Sequence, residues 1–117
     1  MVKELAKRRC KPCEGGVAPL RRDQVDELMA ALHDNWSLSE DVTEISRRFD
    51  FPAYSRTLGF ANAIAWIAIS EGHHPELIVN YGNLEVRYTT HAIGGLSDND
   101  FICAAKVDRL ASDAGVE

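Results

Sequence analysis

Leu77-Ile78-Val79-Asn80-Tyr81-Gly82-Asn83-Leu84-Glu85-Val86-Arg87-Tyr88 is the stretch on which the fold turns. Two alternating runs flank Gly82-Asn83, a two-residue loop whose members tolerate positive φ. With Tyr81 facing Leu84, Val79 faces Val86 and Leu77 faces Tyr88, so one face is wholly apolar or aromatic. Asn80 then faces Glu85, Ile78 faces Arg87 and Glu76 faces Thr89, which makes the other face mostly polar. A slip of one residue would exchange the two faces, so the pattern specifies an antiparallel hairpin with one buried side. Continued outward, the register sets Pro75 opposite Thr90 and His74 opposite His91. Directly opposed residues have Cβ atoms about 4.5–5.5 Å apart.

Three of the four histidines therefore gather at the open end of this hairpin: His73, His74 and His91. Imidazole titrates near neutrality, with an unperturbed pKa of about 6.5, so the cluster points to acid–base chemistry or to a metal. A tri-histidine metal site needs all three rings aimed at one point. His73 and His74 are adjacent, and in extended backbone they point to opposite faces. No H-x-H or H-x-x-x-H spacing is present. Metal-free acid–base catalysis, in which differently directed rings serve different substrate atoms, suits the cluster better. An inert set of hydrogen-bonded corner residues is the alternative. His33 lies apart, on a predicted helix. Cys103, on the buried stripe of the last helix, makes a poor nucleophile, and no Gly-rich phosphate loop follows a strand.

Working outward, Val25, Leu28, Met29 and Leu32 fall at helical spacing and predict a helix over 20–33. Trp36 to Ser39 reads as a short strand and Glu40-Asp41 as a turn. Thr43, Ile45, Phe49 and Phe51 alternate with polar residues as a half-buried strand, with Arg47 the exception on its inner face. After Pro52, residues 53–72 read as a long helix whose stretch from Leu58 to Ile69 is apolar all round except for Asn62. Such a helix must be covered on two sides, which suggests self-association. Ser97 and Asp100 give a capping-box-like start to a last helix, with Asp in place of the usual Glu or Gln. Cys103, Ala104, Val107, Leu110 and Ala111 mark its buried stripe. The order α-β-β-α-β-β-α predicts an α+β domain over 20–113: a four-stranded antiparallel sheet with helices packed on one face.

The chain has 117 residues, 45% of them hydrophobic, and a net charge of −5, as one ordinary globular domain would. Five of the 13 basic residues but only two of the 18 acidic ones lie in the first fourteen positions. The body is therefore acidic and argues against a nucleic-acid partner. Residues 1–19 read as a flexible, solvated N-terminal tail. Its Cys10-x-x-Cys13 pair reads as two thiols in a mobile segment, because a structural zinc needs about four ligands. No signal-peptide h-region and no stretch long enough to cross a membrane are seen. With three cysteines in all, the expected location is the reducing cytoplasm.

The run His73-His74-Pro75-Glu76-Leu77, followed by Asn80-Tyr81, Thr90-His91 and Gly95-Leu96-Ser97-Asp98-Asn99-Asp100, resembles the pterin-4a-carbinolamine dehydratases. The likeness covers about 20–110, and Cys13-Glu14-Gly15-Gly16 looks like bacterial members. The resemblance implies the same α-β-β-α-β-β-α fold and a homodimer or homotetramer. It also implies a lyase of tetrahydropterin cofactor recycling. Such an enzyme removes water from 4a-hydroxytetrahydropterin to give quinonoid dihydropterin, with neither metal nor redox cofactor. It further implies that His73, His74 and His91 are catalytic. The pterin would lie against His73-His74-Pro75 and Thr90-His91-Ala92, with Trp36 nearby. Ile69 departs from the family, which often has a polar residue there, and Glu71 stands two positions on. Asn99 stands where animal members tend to have arginine. Animal members also act as dimerisation cofactors of a homeodomain transcription factor, so a non-enzymatic binding role is the alternative of a different class.

Overall fold

The computed structural model describes residues 2–12 and 15–117, so Cys13 and Glu14 lie outside the described residues. Its elements in chain order are α1 (Val2–Lys7), α2 (Arg22–Met29), β1 (Ser37–Leu38), β2 (Ile45–Asp50), α3 (Tyr54–Glu71), β3 (Glu76–Val79), β4 (Asn83–Tyr88), a single 3-10 turn (His91–Ile93) and α4 (Asp98–Ala114). The four strands form one antiparallel sheet in the order β1-β2-β4-β3. This is the α+β architecture expected from the sequence, with one helix added in front.

The sheet buries one face. Ile45, Arg47 and Phe49 of β2 and Leu84, Val86 and Tyr88 of β4 are all buried, while Arg48 and Asp50 stay exposed. Period-two alternation puts exactly these residues on one side of the pleat, and the helices cover that side. Arg47, the odd residue on the inner face, finds its partner on α4. Its Nη1 donates to Asp108 Oδ1 at 2.7 Å, and the guanidinium sits 4.3 Å from the centroid of the Phe49 ring. Asp108 also accepts from Trp36 Nε1 at 2.7 Å and from the His33 backbone N–H at 2.9 Å. A buried carboxylate with this many donors is satisfied; one that lost them would be costly.

The hairpin pairs with a different register from the one the sequence suggests. Glu76 faces Arg87, Leu77 faces Val86, Ile78 faces Glu85 and Val79 faces Leu84. The Asn80 N–H donates to the Asn83 carbonyl at 2.9 Å, so the loop is Tyr81-Gly82, one position earlier than expected. Neither loop residue takes a left-handed φ. Tertiary bonds set this turn. The Tyr81 carbonyl accepts from Thr57 Oγ1 on α3 at 2.9 Å, and the Gly82 carbonyl accepts from the Phe51 N–H at 2.8 Å. Each partner moves by two positions, so the strand side chains stay on their predicted faces. Tyr81, expected on the apolar face opposite Leu84, instead falls in the loop and is 71% exposed. The extrapolated opposition of His74 and His91 does not survive, because pairing ends at Glu76 and Arg87.

The N-terminal stretch expected to be a solvated arm carries α1 instead. Leu5 and Ala6 are buried, and α1 lies along α4. Lys106 Nζ donates to the Ala6 carbonyl at 2.6 Å. With the sheet on one side and α1 on the other, α4 is buried on nearly every side from Asn99 to Ala105. α2 is shorter than its apolar spacing predicts. Gln24 Oε1 accepts the Arg21 N–H at 2.9 Å at its start, and tight i−3 turns follow Met29.

Candidate active site

α3 delivers the histidine pair. The helix stops at Gly72, whose φ of 66° is the left-handed C-cap that glycine adopts without strain. His73 and His74 then enter extended chain and point to opposite sides. His73 turns inward. Its side chain is 10% exposed, and its Nε2 lies 2.6 Å from Asp100 Oδ1. Its ring stacks on Tyr88 with centroids 6.1 Å apart and planes 10° from parallel. Burial pulls the His73 pKa down, but the hydrogen bond and the charge of Asp100 outweigh it, and the net direction is upward.

Asp100 is fully buried at the first turn of α4. Its other oxygen, Oδ2, accepts from Thr90 Oγ1 at 2.7 Å and from the Ser97 N–H at 3.0 Å. One carboxylate thus closes the start of the helix, ties down Thr90 and holds His73. Sequence reasoning found only the first of these tasks. The short Asp in a position that usually carries Glu or Gln was the available signal, since it keeps the carboxylate close to the helix axis and leaves one oxygen free.

His74 turns outward. It lines a cleft of about 390 Å³ together with His91, Pro75, Glu76, Thr89, Arg87 and Glu44. Past His91 the cleft continues into a second hollow walled by the loop 39–44 and by Gly94. Both histidines are solvent-exposed, and Arg87 pairs with Glu85 and, at 3.7 Å, with Glu44. Glu44, Arg87 and the loop 39–44 were not singled out as site residues in the sequence; the outward position of Arg87 on the polar hairpin face, that of Glu44 in an alternating strand and the turn at Glu40-Asp41 were their traces. The cleft is within the range of small-ligand sites, and its rim offers imidazoles, carboxylates and a guanidinium to a polar heterocycle.

Of the expected site residues, the structure therefore brings His74, His91 and Pro75 together on the cleft. It places His73 inward on Asp100, so the three rings do not converge at one mouth. Thr90 is buried and hydrogen-bonded rather than facing the cleft. Ala92 lies on the exposed 3-10 turn, outside the cleft lining. Trp36 is buried in the core, its Nε1 on Asp108 and its ring 6.2 Å from Tyr88. No three His, Cys, Asp or Glu side chains among the described residues are arranged to hold a metal. Glu71 faces the N-terminal segment, where its carboxylate accepts from the Cys10 N–H at 2.9 Å and from Arg9 Nε at 3.2 Å.

Comparison with known proteins gives the family and the fold. A protein of Nitrosomonas eutropha, provisionally named pterin-4-alpha-carbinolamine dehydratase, is 54% identical over 107 residues, covering 92% of this chain and 93% of its own length. A Legionella pneumophila protein of the same provisional name is 45% identical over 113 residues, 97% of this chain and 100% of its own. Among solved structures, a transcriptional coactivator/pterin dehydratase from Brucella melitensis superposes with a TM-score of 0.73 at 30% identity, over 80% of this chain and 98% of that one. A pterin dehydratase-like protein described as a RuBisCO assembly factor in the alpha-carboxysome shares the fold, with a TM-score of 0.57 at 24% identity over 68% of this chain and 92% of its own. Residues 18–110 match the sequence profile of the pterin 4 alpha carbinolamine dehydratases, and the chain belongs to that family.

Proposed function

We propose that this chain dehydrates 4a-hydroxytetrahydropterin to quinonoid dihydropterin by histidine acid–base catalysis, without a metal or redox cofactor. The observation that carries the proposal is the pair His74 and His91 on one cleft, backed by the inward His73–Asp100 couple. The reaction needs a proton delivered to the 4a-hydroxyl as the C–O bond breaks and a proton removed from the ring nitrogen N5. The N5 electron pair then forms the new double bond, and water leaves. Two exposed imidazoles on one cleft can deliver and take up these protons. His73, whose protonated form is favoured by the hydrogen bond and charge of Asp100, fixes the path of His73-His74-Pro75. Pro75 forms one wall for the pterin ring. The activity would serve tetrahydropterin recycling in the cytoplasm. Among the described residues no helix is long and apolar enough to cross a membrane.

The same proposal includes a homodimer or homotetramer built on α3. Its inner face packs Thr57, Phe60, Ala61 and Ile64, while Trp66 and Ile69 stand 67% and 69% exposed with Leu58 and Tyr54. That outer apolar stripe also favours the second reading, a non-enzymatic binding role. The deciding assay follows loss of the 4a-hydroxy intermediate with the purified full chain. We expect catalysed dehydration whose rate is unchanged after exhaustive EDTA dialysis. A rate that collapses on chelation and returns with zinc would replace the metal-free mechanism. A rate equal to the spontaneous background would favour the binding role.

A further inference from the structure

The thiols of Cys10 and Cys103 lie 93 positions apart in sequence, yet their Sγ atoms are 3.5 Å apart. The backbone pins both ends of this approach. Cys103 is fully buried on α4, and Cys10 sits in the segment that follows α1. That segment is strapped down on each side of Cys10. The Cys10 N–H donates to Glu71 Oε1 at 2.9 Å, the Lys11 N–H donates to Asn99 Oδ1 at 3.0 Å, and Asn99 Nδ2 donates back to the Lys11 carbonyl at 2.6 Å. Two free thiols held in contact by separate elements need only close by about 1.5 Å to reach disulfide bonding distance.

We propose that Cys10 and Cys103 form an oxidation site, at which a hydroperoxide converts the two thiols into a disulfide that fastens the N-terminal segment to α4. The proposal goes beyond the dehydratase reading and does not depend on it. Cys10 is the half-exposed partner and Cys103 the buried one, which fixes the order of events. The Cys10 thiolate attacks one peroxide oxygen, the O–O bond breaks, and hydroxide leaves with the electron pair. The resulting sulfenic acid is then attacked by the Cys103 sulfur. The S–S bond forms as the S–O bond breaks, and the departing hydroxide takes up the Cys103 proton as water. Overall two thiols and one hydrogen peroxide give one disulfide and two waters. The shared hydrogen bond with Cys103 favours the Cys10 thiolate against burial and the nearby Glu71, and the charges of His73 and Lys106 add to that. The hydrogen bond that Cys103 donates to Cys10, together with burial, holds Cys103 in its thiol form.

The test treats the reduced full chain with equimolar hydrogen peroxide, then maps crosslinks by mass spectrometry of a non-reducing digest. We expect a Cys10–Cys103 crosslink that dithiothreitol reverses. It should persist in Cys13→Ser and vanish in Cys10→Ser and in Cys103→Ala, whose folding is checked by circular dichroism. Closing so long a loop should raise Tm by on the order of 10 °C on oxidation, with no rise in Cys10→Ser. A Cys10–Cys13 crosslink, a Cys10 sulfinic acid with Cys103 still free, or no crosslink at all would overturn the site. A crosslink that leaves Tm unmoved would overturn the fastening.

Discussion

Replacing Asp100 with asparagine should make the stability of the protein depend on pH in a new way. The carboxylate accepts from His73 Nε2 at 2.6 Å, Thr90 Oγ1 at 2.7 Å and the Ser97 N–H at 3.0 Å. An amide can keep the last two through its carbonyl oxygen, but it turns an NH₂ towards His73 and removes the negative charge. A hydrogen bond to a charged group contributes about 1.5–3 kcal/mol. In the native protein the His73 pKa is raised above its ordinary 6.5, so its stabilising effect is complete below that value. It is lost as pH rises through the folded pKa. Asp100→Asn should therefore cost about 1.5–3 kcal/mol at pH 5.5 and distinctly less at pH 9. There the neutral imidazole can accept from the amide, and a buried carboxylate is gone. Urea unfolding at both pH values measures the difference, and the NMR titration of the His73 ring should move to lower pH. Equal losses at both pH values, or an unmoved His73 midpoint, would refute the role assigned to the couple.

His74→Ala and His91→Ala should each lower dehydratase turnover by up to about 10²–10⁴-fold, bounded by the spontaneous reaction, with the fold intact by circular dichroism. The double variant should lose much less than the product of the single losses, while His33→Ala, outside the cleft, should leave turnover unchanged. Asp108→Ala should cost about 3–5 kcal/mol in urea unfolding, because it strands the Arg47 guanidinium in the core. Trp66→Glu combined with Ile69→Lys should shift sedimentation from an oligomer to a 13.0 kDa monomer; a native chain that already sediments as a monomer would remove α3 as an interface.

The hairpin faces were legible because alternation alone decides them, and a shift of two positions leaves alternation untouched. The register itself was not legible. Gly82-Asn83 carries the local turn preference, but Thr57 and Phe51 hold the carbonyls of Tyr81 and Gly82, and those partners are distant in sequence. α1 escaped notice because a single turn and a half offers no periodicity to count; among the described side chains, Leu5 and Ala6 reach the core. The two histidines of the cleft were visible as residue types at one chain corner. Asp100 was visible only as a cap, since nothing in its local sequence says that its second oxygen meets a side chain 27 positions earlier.

α4 carries Asp100 on His73 and Asp108 on Arg47 and Trp36, eight residues apart and so about 12 Å along the axis. Two anchors on one rigid rod set its axial position twice over. A slide that kept one bond would break the other, and inserting a single residue between them would swing the two carboxylates about 100° out of phase. The position of the His73 imidazole is thereby referenced to an ion pair deep in the core, about two turns further along the same helix. Sequence drift along α4 can alter neither the spacing of the anchors nor, in the buried stretch between them, the bulk.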